Sequence, residues 1–226
     1  MIKRLVLLLS LSIATHAGTQ EWLLALIDAD TNSSNETEVD RCDDEFTDMK
    51  VCISSIVEKY DFDGLTSNIM KKELILSILD EIQNASCFET TNCTIVKVGN
   101  YVFDSFAFIG EAVFREGFEC LVKELETVSA KASQCVNLLV TSGEIKDMKD
   151  ESFYFAAKLL SECTISKFSC SEDEQYALIA GAHRIIELIE NSSHPEKILK
   201  EIGVPEDSIS KEEMSAVLSY FVSIFK

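Results

Sequence analysis

An all-α, disulfide-stapled helical bundle is the fold class the sequence predicts, on three observations. Apolar residues recur at threes and fours along most of the chain, the spacing of one helix face. Only two prolines and eight glycines punctuate 226 residues, too few for the repeated turns of an all-β sandwich. Eight cysteines, an even number, offer four bridges. Hydrophobic residues make up 46% of the sequence, enough to form a core and to set the chain apart from disordered ones.

The first 17 residues read as a secretory signal. Lys3 and Arg4 supply the positive end, Leu5 to Ala14 is apolar, and Thr15-His16-Ala17 offers small residues for cleavage after Ala17. The apolar run is about ten residues, against roughly 20 for a spanning helix, so a soluble, exported protein without a transmembrane segment is expected. Residues 18–40 hold a short apolar segment, Trp22 to Ile27, and a polar loop, Asp28 to Asp40. A cysteine-rich helical domain is expected over 41–170, with C-terminal helices over 171–226 packed on the same core.

From Cys42, the spacing of Phe46, Met49, Ile53, Ile56, Val57 and Tyr60 predicts a helix that Asp61-Phe62-Asp63-Gly64 stops. A second runs from Thr66 to about Gln83 on Ile69, Met70, Leu74, Ile78, Leu79 and Ile82. Ile95 to Leu125 is the richest stretch in apolar and aromatic residues and predicts a central helix bent near Gly110 and Gly117. Val and aromatics over Tyr101 to Ile109 also suit a strand, but no partner strand is evident. Further helices follow over Ala130 to Val140, ended by Gly143, and over Glu151 to Glu162, with Cys163 to Cys170 as linker. Ser171-Glu172-Asp173-Glu174 is a capping box that starts the helix through Ile189, and a short helix occupies Pro195 to Ile202. A second capping box, Ser210 to Glu213, precedes the stripe Met214, Val217, Leu218, Phe221 and Ile224. Its polar face lacks the basic residues that anionic lipids select, so it is expected to dock on the domain's own core.

Charge narrows the partners. The chain carries a formal −19, and cleavage of the leader removes Lys3 and Arg4 to leave −21. Such a surface repels phosphate backbones, which excludes nucleic acid as a partner. The acidic residues are dispersed along helices, the pattern of solvated faces that keep a protein soluble.

Cys42, Cys52, Cys87, Cys93, Cys120, Cys135, Cys163 and Cys170 are all expected in disulfides, as suits an oxidising compartment. Eight cysteines admit about 105 pairings, and geometry removes some. Cys42 and Cys52 lie on one helix with a rise between them of roughly 15 Å, beyond the ~7 Å limit between bridged Cα atoms, so each must reach another element. Cys87 with Cys93, and Cys163 with Cys170, are close enough to pair locally or to reach outward. With no Cys-x-x-Cys and no nearby histidine, a zinc site is not indicated.

Three fragments carry a likeness: Cys42 with Cys52, the close pair in Cys87-Phe88-Glu89-Thr90-Thr91-Asn92-Cys93, and Phe118-Glu119-Cys120-Leu121-Val122-Lys123-Glu124-Leu125 followed by Cys135. Over about residues 40–136 this order of cysteines resembles a family of small secreted cysteine-rich helical domains of unknown function, greatly expanded in nematodes. Two cysteines usual in that family between Cys93 and Cys120 are absent, which fits loss of both halves of one bridge. The plan is also similar to helical, cysteine-rich insect haemolymph glycoproteins. Neither resemblance implies a catalytic residue.

Asn32, Asn35, Asn84, Asn92 and Asn191 each begin an Asn-x-Ser/Thr acceptor for N-glycosylation. Of the two histidines beyond the leader, His183 falls on a helix beside Ile179, Ile186 and Glu187, and His194 precedes Pro195 at a helix start. A satisfied surface histidine is expected in each case, not a general base. No hydrolase elbow, zinc-protease motif or phosphate loop is present. Asp28-Ala29-Asp30-Thr31-Asn32 imitates a calcium loop, then departs from it at Ser33 and Val39. No metal or cofactor is therefore expected. The sequence points to a secreted, non-enzymatic glycoprotein that binds an unidentified extracellular protein or circulates. The alternative is an extracellular carrier whose Phe103, Phe106, Ile109 and Phe114 line a site for a small hydrophobic ligand such as a fatty acid.

Overall fold

The structure, a computed structural model, describes residues 39–60, 71–88, 92–145, 150–205, 208–210, 213, 214, 216, 217 and 220. The predicted leader and the acceptors Asn32 and Asn35 lie outside these residues, as do the calcium-loop imitation and the first part of the second predicted helix. The described residues form eight α-helices and one π-helical stretch, with no strand among them. In order these are α1 Val39–Val57, α2 Lys72–Asn84, α3 Thr94–Ile109, the π-helix Gly110–Glu116, α4 Phe118–Glu124, α5 Val128–Ser142, α6 Asp150–Ile165, α7 Glu172–Ser193 and α8 Pro195–Glu201. The strand reading of Tyr101 to Ile109 is replaced by helix, because Val98, Tyr101, Val102 and Ser105 bury at helical spacing.

These helices divide into two compact units. One is Phe108–Glu190; the other joins 39–107 to the residues from Asn191 onward. The unit boundaries fall at 107/108 and 190/191.

In the unit formed by 39–107 and 191 onward, α1 buries Phe46, Met49, Ile53 and Ile56, the predicted stripe. It packs on α2, whose buried face is Ile75, Leu76, Ile78, Leu79 and Ile82. Cys42 bonds Cys93 and Cys52 bonds Cys87, so the two α1 cysteines do reach a second element. Past the second capping box, in which Ser210 N–H donates to Glu213 Oε2 at 2.7 Å and Glu213 N–H to Ser210 Oγ at 3.1 Å, Met214 and Val217 are buried. Tyr220 then lies along α1: its ring meets Phe46 edge-on at 6.4 Å, and its hydroxyl is 2.9 Å from the Lys50 carbonyl and 3.3 Å from Ser54 Oγ. Of the C-terminal stripe, Met214 and Val217 are thus buried on protein, whereas Leu218, Phe221 and Ile224 lie outside the described residues.

In the unit Phe108–Glu190, Cys120 bonds Cys170 and Cys135 bonds Cys163. Neither close pair is local: both cysteines of each pair reach outward, and α6 runs to Ile165, so the expected linker begins only after it. Cys120, Ile165, Phe168 and Leu178 form the core, with Val113, Leu121, Val128 and Ile179 packed around it. The first capping box is formed as read, Ser171 N–H donating to Glu174 Oε2 at 3.0 Å and Glu174 N–H to Ser171 Oγ at 3.3 Å. Gly143 caps α5 in the left-handed region, φ 77°, where a residue with a Cβ would be strained.

The predicted bend near Gly110 and Gly117 is a change of helix type. From Gly110 the turns widen, and Gly117 N–H bonds the Ala112 carbonyl five residues back at 2.9 Å. Two glycines then let this segment press against α7. A Cβ on Gly117 would sit 2.6 Å from Leu178 Cγ, and one on Gly181 would sit 2.7 Å from Val113 Cγ2. Val113 is β-branched in a helix, so its rotamer cannot easily give way.

Gly181→Ala in a helix interior would ordinarily stabilise by up to ~1 kcal/mol. Here it is expected to destabilise by about 1–3 kcal/mol through overpacking, read as a lower midpoint in urea unfolding. Peptide mapping without reduction is expected to return Cys42–Cys93, Cys52–Cys87, Cys120–Cys170 and Cys135–Cys163, and any Cys87–Cys93 or Cys163–Cys170 peptide would contradict the fold.

Candidate functional site

Buried polar side chains must find partners, and of three polar groupings that join helices the first is built on buried Glu124 and the third on buried Asn191. In the unit Phe108–Glu190, Glu124 ends α4 with its carboxylate turned inward, 4% exposed. Its Oε1 accepts from the Ser169 backbone N–H at 2.6 Å; its Oε2 accepts from Thr127 Oγ1 at 2.5 Å and from Lys131 Nζ. The Lys131 ammonium also stands 5.3 Å from the Phe168 ring centroid. One carboxylate thus gathers the end of α4, the first turns of α5 and the segment before Cys170. The Lys131 hydrogen bond, then those from Thr127 and Ser169, outweigh burial and hold the Glu124 pKa down from 4.5 to about 2.

A second grouping joins α6 to α7 in the same unit. Lys158 Nζ pairs with Glu187 Oε1 at 3.0 Å, and Arg184 reaches Glu187 Oε2 at 3.5 Å. Burial acts to raise the Glu187 pKa, but Lys158 and Arg184 outweigh it and leave it lowered. His183 Nε2 lies 3.2 Å from Glu162 Oε1 without the alignment of a hydrogen bond. This is the seam between two packed helices, and His183 takes its place there as one interhelical contact among several.

The third lies in the other unit. Asn191, near the end of α7, donates from Nδ2 to Tyr101 Oη at 2.9 Å, and Tyr101 Oη donates in turn to Glu201 Oε2 at 2.9 Å. Three helices, α3, α7 and α8, meet at this chain of bonds. His194 is the residue before Pro195 at the start of α8, as read, with its Nδ1 3.3 Å from Glu196 Oε1.

No family model, characterised protein or solved structure matches the chain. Of the expected ligand-lining residues, Phe103 and Phe106 belong to one unit and Ile109 and Phe114 to the other. Phe103 is stacked on Phe88 at 4.8 Å and Phe114 on Phe118 at 6.1 Å, so two of the four rest on neighbouring rings. Of the glycan acceptors, Asn84 and Asn92 are exposed, whereas Asn191 is buried. Among the described residues no group of three or more His, Cys, Asp or Glu is gathered to hold a metal ion, and no helix is long and apolar enough to cross a membrane.

Sequence reasoning missed Glu124 and the pair Asn191 with Tyr101, because their partners are set by turns and by helices distant in sequence. Tyr220 was within reach of it, three residues past Val217 on the C-terminal stripe.

Glu124→Gln is expected to destabilise by about 1.5–3 kcal/mol at neutral pH, the range for hydrogen bonds to a charged group. The folded carboxyl ionises near 2 against an ordinary 4.5, so its contribution is complete above about 4.5 and is lost as pH falls through about 2. Urea unfolding from pH 6 to pH 2 is expected to show a shallower loss of stability for Glu124→Gln than for the parent, and parallel curves would refute the assignment.

Proposed function

We propose that this protein is a secreted, disulfide-bonded helical glycoprotein that works without catalysis, by binding another extracellular protein or as a circulating factor. The observation that carries the reading is that all eight cysteines are bridged. Reducing compartments keep thiols free, so a protein whose helices are joined by four bridges belongs where disulfides persist. The leader-like first 17 residues support the same compartment. The reading rests on the bridges and not on the cysteine-spacing resemblance over 40–136.

Exposed apolar side chains support binding as the mode of action. Phe108, Val122, Leu138, Val140, Phe155 and Tyr176, all in Phe108–Glu190, are six of the seven large hydrophobics that stand exposed among the described residues. Leu138 and Val140, two residues apart on α5, point to different sides of that helix, so the apolar surface is distributed and not one groove. The carrier reading has less support, because Phe103 and Phe114 each rest on another aromatic ring.

The test is secretion of the full chain from a eukaryotic host. The expected product is recovered from the medium with Gly18 as its first residue. Its cysteines resist alkylation until reduced, and its native mass equals polypeptide plus glycans. A lipid-sized adduct surviving in native mass spectrometry would transfer the reading to a carrier, and free thiols in a retained product would overturn secretion.

A further inference from the structure

Three acceptor tripeptides fall within the described residues, and their amides stand in unlike surroundings. N-glycosylation joins sugar to the asparagine side-chain nitrogen, so what surrounds that nitrogen in the fold decides whether a glycan is compatible with it. Asn84 is the last residue of α2 and is exposed. Asn92 is also exposed, although the adjacent Cys93 is buried in its bridge to Cys42. Asn84 precedes, and Asn92 lies within, the segment that carries Cys87 and Cys93, bonded to α1 at two points roughly 15 Å apart along its axis.

Asn191 is different. It is 8% exposed, and its Nδ2 is the donor to Tyr101 Oη. The Tyr101 hydroxyl gives its own proton to Glu201, so toward Asn191 it can act only as an acceptor, and the amide nitrogen is the group that must face it. A sugar on that nitrogen would place a pyranose ring where the Tyr101 hydroxyl lies, and the bond between the two side chains would be lost. Ile198 and Leu199 of α8 are buried in the same unit. Glycan and fold compete for one atom.

Resting on the secreted reading above, we propose that Asn191 is a structural asparagine whose bond to Tyr101 a glycan would replace, so that the folded, secreted protein carries none there, and that among the described acceptors the glycans are carried by Asn84 and Asn92. The glycans would then cluster at the bridged segment beside α1 and leave the junction of α3, α7 and α8 bare.

The experiment is enzymatic deglycosylation of the secreted full chain in heavy-oxygen water, which marks each formerly glycosylated asparagine as a labelled aspartate, followed by peptide mapping. Label is expected at Asn84 and Asn92 and none at Asn191. The variant Ser193→Ala destroys the third tripeptide but leaves Asn191 in place, and it is expected to match the parent in glycan mass and melting temperature. Label at Asn191, or loss of one glycan in Ser193→Ala, would overturn the proposal while leaving secretion intact. A bridged, secreted product with no label anywhere would overturn the assignment of Asn84 and Asn92 alone, whereas a retained product with free thiols would count against both readings.

Discussion

Nested covalent closure is the constraint on which this structure depends. Each unit contains one long bridge that encloses a shorter one: Cys42–Cys93 spans 51 residues around Cys52–Cys87 at 35, and Cys120–Cys170 spans 50 around Cys135–Cys163 at 28. Loops of this length are each worth about 3–4 kcal/mol of lost freedom in the unfolded chain. That contribution matters most where burial is thin. Along α5 the buried side chains are Cys135 and Leu139. One buried leucine supplies only about 1.5–3 kcal/mol, so the bridge to Cys163 on α6 is comparable to everything else holding α5 by burial.

Within the limits set by the bridges, polar groups finish the positioning. Glu124 ties the turn between α4 and α5 to the segment before Cys170, close in sequence to the bridge from Cys120. Glu81 does the same for α1 and α2, accepting from Tyr60 at 2.7 Å and pairing with Lys59. Its pKa is lowered first by the Lys59 bond and then by Tyr60. In a chain this acidic, a carboxylate turned inward is tolerated only when cations or N–H groups meet it, and Glu124 has both. The π-helical stretch and its paired glycine contacts add a close helix crossing in Phe108–Glu190, where the Leu178 and Val113 side chains fill the space that a Cβ would take on Gly117 and Gly181.

Bridges and polar side chains alike join one helix to another. The histidines illustrate this. His183 sits among the interhelical contacts of α6 and α7, and His194 sits at the start of α8. What the molecule offers its surroundings is surface: exposed apolar side chains on Phe108–Glu190 and exposed glycan acceptors beside the bridged segment of the other unit.

Sequence by itself determined the helical class, the two capping boxes at Ser171 and Ser210, the stop at Gly143 and an irregularity near Gly110 and Gly117, read as a bend. All of these are local: periodicity, reciprocal side-chain to backbone bonds and the absence of a Cβ act within a few residues. It also determined that Cys42 and Cys52 could not join each other, because one helix fixes their separation. Tertiary structure alone decided which cysteines those two meet, that Cys163 lies within a helix, and where the units divide. It alone buried Glu124 and Asn191, whose tripeptide reads the same as that of Asn84. Those outcomes depend on which helix faces which, and the free energy that selects them comes from contacts between residues far apart in the chain, which no short window of sequence contains.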